Sequence, residues 1–430
     1  MKPRHKVIVS GLGYIGLPTA SLIATKGFEV RGVDVSEHIV DTINQGKIHI
    51  YEPDLDVLVR SAVNSGNLTA SLEPSAGDIF IIAVPTPIKN DHTSDIHYIE
   101  QAVTKIAPYL APGNLIILES TSPVTTTEKI GDWLRALRPD LSIPSFTLAD
   151  DDDNEERIFL AHCPERVLPG RILKELVDNT RVVGGVDPAS TRVAMDFYRS
   201  FVNGEILPTN SRTAEMTKLT ENAFRDVNIA FANELSLIAD QLEIDVWELI
   251  GLANHHPRVN VLQPGPGVGG HCIAVDPWFI VEAAPDKAKL IRQAREVNLY
   301  KTDYVLGRIH ALAGTMYQPK VACLGLSFKA DIDDFRESPA LDIVTRLDER
   351  LFSKVLVVEP HCQRLPAGLL NREGFELVDL DEALAAAQMV VVLVNHKAFY
   401  AVAPEALQGK TVLDTRGVWR FLEPGQIAKS

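Results

Sequence analysis

Val7-Ile-Val-Ser-Gly-Leu-Gly-Tyr-Ile-Gly16 opens the fold. Val7, Ile8 and Val9 are short, apolar and β-branched, the signature of a buried strand. Gly11, Gly13 and Gly16 then complete GxGxxG at the start of a helical pattern. In that strand–turn–helix setting the first glycine permits a tight turn. The second lets backbone approach a pyrophosphate, and the third allows close strand–helix packing. Phosphates are expected at the helix N-terminus, where free N–H groups and the dipole favour anions. Pro18 falls in the first turn, where no N–H donor is needed. Asp34 closes the second strand, Val30-Arg-Gly-Val33, about 20 residues after the glycines. A carboxylate there accepts from the adenosine ribose and repels a 2′-phosphate, so NAD is expected over NADP. Tyr14 and Ile15 belong to the same cofactor loop. The competing reading is a glycine turn in a Rossmann-like domain that has lost its cofactor.

Further along, Ile79-Phe-Ile-Ile-Ala-Val84 and Leu115-Ile-Ile-Leu118 are apolar throughout, as expected of parallel strands with helices on both sheet faces. Polar clusters follow both: Thr86 after the first, Thr121 to Thr127 after the second. Ligands collect outside the carboxyl ends of such strands, so Thr86, Thr121 and Thr127 are candidate cofactor contacts. Helix capping by Ser or Thr is the equal alternative. The stretch from Pro139 to Glu156 reads as an exposed loop, its acidic run Asp150–Asp153 as solvated surface.

From about residue 211 the pattern changes. Ser211 to Ile244 lacks Gly and Pro, so a long helix is expected. The loop Gln263-Pro-Gly-Pro-Gly-Val-Gly-Gly270 leads into His271-Cys272; loops this poor in side chains bring backbone close to a ligand or another segment. From about 318 the α/β alternation returns, with strands at Val321–Leu324, Val355–Val358, Met389–Val394 and Thr411–Leu413. The expected fold is therefore α/β, with two Rossmann-like doubly wound domains joined by a central long-helix domain. The expected boundaries are 1–210, 211–317 and 318–430. The second α/β domain has Gly325-Leu-Ser-Phe328 where a dinucleotide loop would stand.

The 430 residues suffice for a full core without staples. A net charge of −15 argues against general binding of nucleic acid or anionic membrane. The four cysteines, Cys163, Cys272, Cys323 and Cys362, form no CxxC pair, so neither a metal centre nor a disulfide framework is signalled. A reducing cytoplasm is the expected compartment. The basic start before Val7 superficially resembles a signal peptide, but its apolar run is too short and is broken by glycine. No run reaches the ~18–20 apolar residues that span a bilayer.

Several motifs occur in one order over essentially the whole chain. They are Gly11-Leu-Gly-Tyr-Ile-Gly16, Pro85-Thr-Pro87, Cys163-Pro-Glu-Arg-Val-Leu-Pro-Gly170, Lys218 with Asn222, Gly269-Gly-His-Cys272 with Asp276, Phe328-Lys-Ala-Asp331, and Arg336-Glu-Ser338. Together they resemble the UDP-glucose/GDP-mannose dehydrogenase family. The resemblance implies NAD-dependent oxidation of a sugar CH2OH to a carboxylate in two hydride transfers. The intermediate aldehyde can give up no hydride until a nucleophile adds to it, and a thiol does this. In this setting Cys272 is the expected nucleophile, while Cys163 is expected to pack. Lys218 and Asn222, four apart on one helix face, are expected to stabilise an alkoxide and to orient a hydroxyl or water. Glu165 and Asp276 both remain open as the carboxylate that activates the hydrolytic water.

For the nucleotide sugar, Arg166, His256, Arg258 and Arg416 are candidate diphosphate contacts, since guanidinium matches phosphate geometry in a bidentate way. The resemblance adds Val167, Arg225, Gly269, Phe328 and Lys329 on the substrate side, beside Lys218 and Asn222, and Arg336 on the cofactor side. The run from Arg258 to Trp278 resembles most the subgroup that acts on UDP-N-acetyl-D-mannosamine. UDP-N-acetylglucosamine and UDP-glucose are the alternatives, and a non-catalytic NAD- and nucleotide-sugar-binding regulator is the remote one. The resemblance also implies a homodimer through the central helix and a role in surface polysaccharide synthesis.

Overall fold

The computed structural model describes residues 5–149, 157–167, 170–420 and 427–428. The acidic run at 150–153, and Leu168 and Pro169 of the Cys163–Gly170 motif, lie outside the described residues. The chain forms two compact units. One runs up to Glu221 and includes Trp278–Ala284; the other comprises Asn222–Pro277 and the chain from Pro285.

The first unit is built on strands β1 (Lys6–Ser10), β2 (Glu29–Val33), β3 (Leu68–Ser71), β4 (Ile79–Ile82), β5 (Leu115–Leu118), β6 (Phe159–His162), β7 (Arg181–Gly185) and β8 (Ile206–Asn210). They lie in the order β3-β2-β1-β4-β5-β6-β7-β8. All neighbours are parallel except β6 and β7. The order reverses between β1 and β4, which opens a crevice at their carboxyl ends. Every residue of β4, β5 and β6 is buried, because helices cover both faces. The run at 79–84 ends as a strand at Ile82. There the Ala83 N–H still donates to Ser10 carbonyl at 2.8 Å, and the chain then turns away.

The second unit carries β9 (Lys320–Leu324), β10 (Lys354–Val358), β11 (Phe375–Leu377), β12 (Met389–Val392), β13 (Thr411–Asp414) and β14 (Ile427–Ala428). Their order is β11-β10-β9-β12-β13-β14, parallel throughout. Here the reversal lies between β9 and β12. Phe328 follows the first of these strands and Asn395 the second.

The predicted long helix spans Ser211–Gln241, three residues short of the expected end. Glu243 adopts a left-handed conformation at φ 58°. The Ile244 N–H turns back to the Ala239 carbonyl at 2.8 Å, a helix stop that usually uses glycine. Among the described residues no helix is long and apolar enough to cross a membrane.

Candidate active site

The glycine loop is shaped as its spacing requires. Gly11 sits at φ 90°, and an added Cβ on Gly16 would stand 1.8 Å from the Gly11 carbonyl oxygen. No side chain fits at Gly16 without opening the turn. At Gly13 an added Cβ meets nothing within 4 Å, so the loop is open just before helix Gly16–Thr25 begins. Asp34 is fixed from two sides: the Leu12 N–H donates to Oδ2 and the Ser36 N–H to Oδ1, both at 3.0 Å. The carboxylate that would meet a ribose is thus tied to the loop that would meet the phosphates, and these residues fit a dinucleotide.

The strand-end threonines divide. The Thr86 hydroxyl donates to the Thr121 carbonyl, bracing the loop after β4 against the one after β5. Thr127 is buried, and both its hydroxyl and its N–H donate to Glu215 Oε1 at 2.7 Å. The Thr125 N–H donates to the other oxygen at 2.6 Å. The Thr127 hydroxyl is thus engaged by a carboxylate of the long helix. Glu215, from the long helix, satisfies the N–H groups that open helix Thr126–Leu137. Burial pushes its carboxyl up to about 7. Sequence reading missed Glu215; a lone acid on a helix gives no sign that it faces inward.

Glu165 follows β6 and is buried. Its Oε1 accepts the Arg166 N–H at 2.5 Å, and its Oε2 lies 3.8 Å from an Arg181 guanidinium nitrogen. Arg166 is held by Glu221, with 2.6 Å between its guanidinium and Oε1, and by the Thr180 carbonyl at 3.1 Å. Val167 packs beside the core of this unit. Lys218 is half-buried on the long helix. Cys163 is buried, and its thiol is pushed up to about 11 by burial, which fits a packing role.

In the second unit, Cys272 is half-buried on the turn that opens helix Asp276–Ala283. The Cys272 carbonyl accepts the Val275 and Asp276 N–H groups at 3.0 and 2.8 Å. Asp276 is buried, and Asn222 Nδ2 donates to its Oδ2 at 2.5 Å. The preceding loop is wedged among side chains. Gly270 sits at φ 84°, and a Cβ on it would stand 2.8 Å from the Phe328 ring. A Cβ on Gly269 would meet the Glu337 carbonyl oxygen at 2.4 Å, and one on Gly265 an Arg416 nitrogen at 2.1 Å. Arg416 also donates to Asn395 Oδ1 at 2.9 Å, at the carboxyl end of β12. Phe328, Arg416, Gly269 and the loop that ends in Cys272 therefore converge at the second strand-order reversal.

Other sequence candidates are not gathered by this packing. Arg225, His256 and Arg258 are exposed, the last two on the loop after helix Val246–Ala253. Lys329 is exposed, and Arg336 forks onto Asp334 with Nε 2.9 and 3.1 Å from the two oxygens. Asp331, His361 and His396 bring possible metal-ligand atoms within 4.8 Å of one another. His396 nevertheless has both ring nitrogens engaged, with the Asp331 N–H at 2.9 Å and with Glu359 at 3.2 Å.

Profiles of the UDP-glucose/GDP-mannose dehydrogenase family match the chain in three successive stretches: the NAD binding domain over residues 5–202, the central domain over 212–300 and the UDP binding domain over 322–421. The chain is 57% identical over 413 residues to an NDP-N-acetyl-D-galactosaminuronic acid dehydrogenase of Ralstonia nicotianae, covering 96% of each. It is 56% identical over 403 residues to a UDP-N-acetyl-D-mannosamine dehydrogenase of Campylobacter jejuni, covering 94% of this chain and 98% of that one. A solved structure of the UDP-D-ManNAc dehydrogenase from Pyrococcus horikoshii superposes with a TM-score of 0.84 at 36% identity, covering 97% of this chain and 96% of that one.

Proposed function

This chain belongs to the UDP-glucose/GDP-mannose dehydrogenase family and is an NAD-dependent nucleotide-sugar 6-dehydrogenase, and from that premise we propose that it oxidises UDP-N-acetyl-D-mannosamine to the uronic acid through a thioester on Cys272. The similarity to enzymes named for that sugar supports the substrate. Relatives named for N-acetyl-D-galactosaminuronic acid favour a second reading, the corresponding galacto sugar.

The observation that carries the mechanism is the glycine-rich loop that delivers Cys272, half-buried, beside a helix opened by the Asn222–Asp276 pair. NAD, held by the Gly11–Gly16 loop and Asp34, supplies the hydride acceptor for each oxidation. The alcohol loses a proton and a hydride to become the aldehyde. Cys272 sulfur adds to the aldehyde carbon, and Lys218 stabilises the oxyanion that forms. Loss of the second hydride leaves a thioester. Water then attacks the carbonyl carbon, Glu165 takes a proton from it, and the C–S bond breaks to return the thiolate. One alcohol, two NAD and one water give one carboxylate, two NADH and three protons. Asn222 holds Asp276 and orients a sugar hydroxyl or water.

For the substrate we assign Arg166, Val167, Arg225, His256, Arg258, Gly269, Phe328, Lys329 and Arg416. Tyr14, Ile15, Thr86, Thr121 and Arg336 stand on the cofactor side. Residues 1–210 serve NAD, 211–317 catalysis and self-association, and 318–430 the UDP-sugar. A homodimer is supported by Phe224, Phe231 and Ile238, exposed at 71%, 52% and 47% and spaced by seven along one face of the long helix.

The test is a count of NADH at completion with limiting nucleotide sugar and excess NAD. It uses UDP-N-acetyl-D-mannosamine, its gluco and galacto epimers, and UDP-glucose. Two NADH per molecule of the manno sugar in wild type, and no completed oxidation by Cys272→Ala, are expected. One NADH per sugar, or a Cys272→Ala variant that still makes the acid, would remove the covalent step. Preference for another sugar would replace the substrate and leave the chemistry.

A further inference from the structure

Behind Glu165 lies a chain of buried polar groups that no catalytic step above uses. Arg181 is on β7, where every residue is buried. One guanidinium nitrogen stands 3.8 Å from Glu165 Oε2 and 3.8 Å from the Cys163 sulfur. Another donates to the Leu176 carbonyl at 3.2 Å. The guanidinium carbon sits 5.0 Å from the centre of the Tyr198 ring, and the Tyr198 hydroxyl donates to Glu119 Oε1 at 2.6 Å. The side chains of Arg181 and Glu165 are 5% and 8% exposed. Among the described residues, Glu165 Oε2 is buried and accepts no hydrogen bond, and Arg181 Nε likewise donates none.

We propose that Arg181 is a positioning residue for Glu165: its buried guanidinium compensates the charge of the carboxylate, and so keeps it ionised and able to take a proton from the hydrolytic water. This rests on the reading of Glu165 as the base. A proton acceptor must be the ionised carboxylate, whose oxygens carry the lone pairs. A carboxylate this buried also needs a positive charge near it, because without one the neutral acid is favoured, and the acid cannot accept a proton. Arg181 is the cation in place. At 3.8 Å from Oε2 the guanidinium gives that Coulombic support. Three anchors fix the cation itself: the Leu176 carbonyl, the face of Tyr198, and Glu119 behind the tyrosine. Glu119, Tyr198 and Cys163 are the titratable groups that face Arg181 besides Glu165.

The test compares wild type, Arg181→Met, Arg181→Lys and Glu165→Gln, each given excess NAD and the nucleotide sugar that wild type oxidises. Rapid quenching and intact-mass spectrometry read acyl-enzyme on Cys272, and stopped flow reads the NADH burst. Arg181→Met is expected to keep the burst, accumulate the thioester as Glu165→Gln does, and slow steady-state turnover roughly 10–100-fold. Arg181→Lys, which keeps a cation, is expected to fall between Met and wild type. Thioester build-up in Glu165→Gln but not in Arg181→Met overturns the role of Arg181 alone. So does equal loss of burst and turnover in both Arg181 variants, the mark of a scaffold residue. No build-up in Glu165→Gln overturns the reading of Glu165 itself, and Arg181 with it. If Arg181→Met does not fold, Arg181→Lys decides: partial build-up supports the role and wild-type hydrolysis overturns it.

Discussion

At the scale of single residues, the buried acids are the most informative. Glu119 is 1% exposed, and its carboxyl is pushed up to about 7, first by burial and in part by the nearby Glu165 charge. In an unfolded chain the same carboxyl titrates near 4.5. Between those values the native protein keeps a proton that the unfolded chain gives up. The associated stability, on the order of a few kcal/mol, is therefore complete below pH 4.5 and lost as pH rises through 7. Glu119→Gln keeps an acceptor for Tyr198 and removes the titration. Its melting temperature relative to wild type is expected to rise by a few degrees from pH 5 to pH 8. Glu215 titrates in the same range, but it is common to both proteins and cancels in the comparison. A gap between the two melting curves that does not change with pH would show that Glu119 is not the titrating group.

At the scale of elements, the loop that carries Cys272 is held by two long helices. Asn233, buried on helix Ser211–Gln241, accepts the Gly265 N–H at 2.9 Å and donates to Asn298 at 2.9 Å. Asn298, on helix Lys289–Ala313, donates to Asp226 at 2.8 Å, and Arg295 donates to the same Asp226 oxygen at 2.7 Å. Thr302 donates to the Pro266 carbonyl at 2.9 Å. The loop has too few side chains to fix itself, so its position is borrowed from this buried ladder. Asn233→Ala leaves the Gly265 N–H and the Asn298 side chain without their partner, at a stability loss of about 1–3 kcal/mol. A small shift of the nucleophile lowers turnover steeply. The expected outcome is a fall in kcat of roughly 10-fold or more with unchanged NAD affinity, since NAD is assigned to the other unit. Steady-state kinetics and a titration with NAD check both halves. Unchanged kcat would mean that Thr302 and the glycine contacts suffice.

At the scale of the whole molecule, the seven-residue spacing of Phe224, Phe231 and Ile238 leaves an apolar stripe in water. Each large side chain covered by a second copy contributes about 1.5–3 kcal/mol. A net charge of −15 per chain works against association, so the stripe must supply most of the gain. Phe231→Glu puts a charge at its centre while remaining compatible with a helix. Light scattering at micromolar protein is expected to give a dimer for wild type and a monomer for this variant. A monomeric wild type would remove the homodimer.

The sequence by itself determined the elements whose signal is local. Continuous apolar runs made β1, β5, β9 and β10 legible, and Gly11, Gly13, Gly16 and Asp34 announced the cofactor loop, because glycine spacing and turn chemistry act over a few residues. The motif around Cys272 was legible for the same reason. What only the tertiary structure decided is whatever depends on distant partners. β3, β8 and β11 are short and partly polar, and become strands only through the edge they pair with. The antiparallel pairing of β6 and β7 depends on which neighbour each strand finds. Arg181, Glu119 and Glu215 read in the sequence like any surface charge, or at most as part of a polar cluster. Burial and opposite charge from remote segments turned them into supports for a site. A charged residue has no local pattern that separates these outcomes, since the energy that decides them comes from desolvation and from partners as many as 90 residues away.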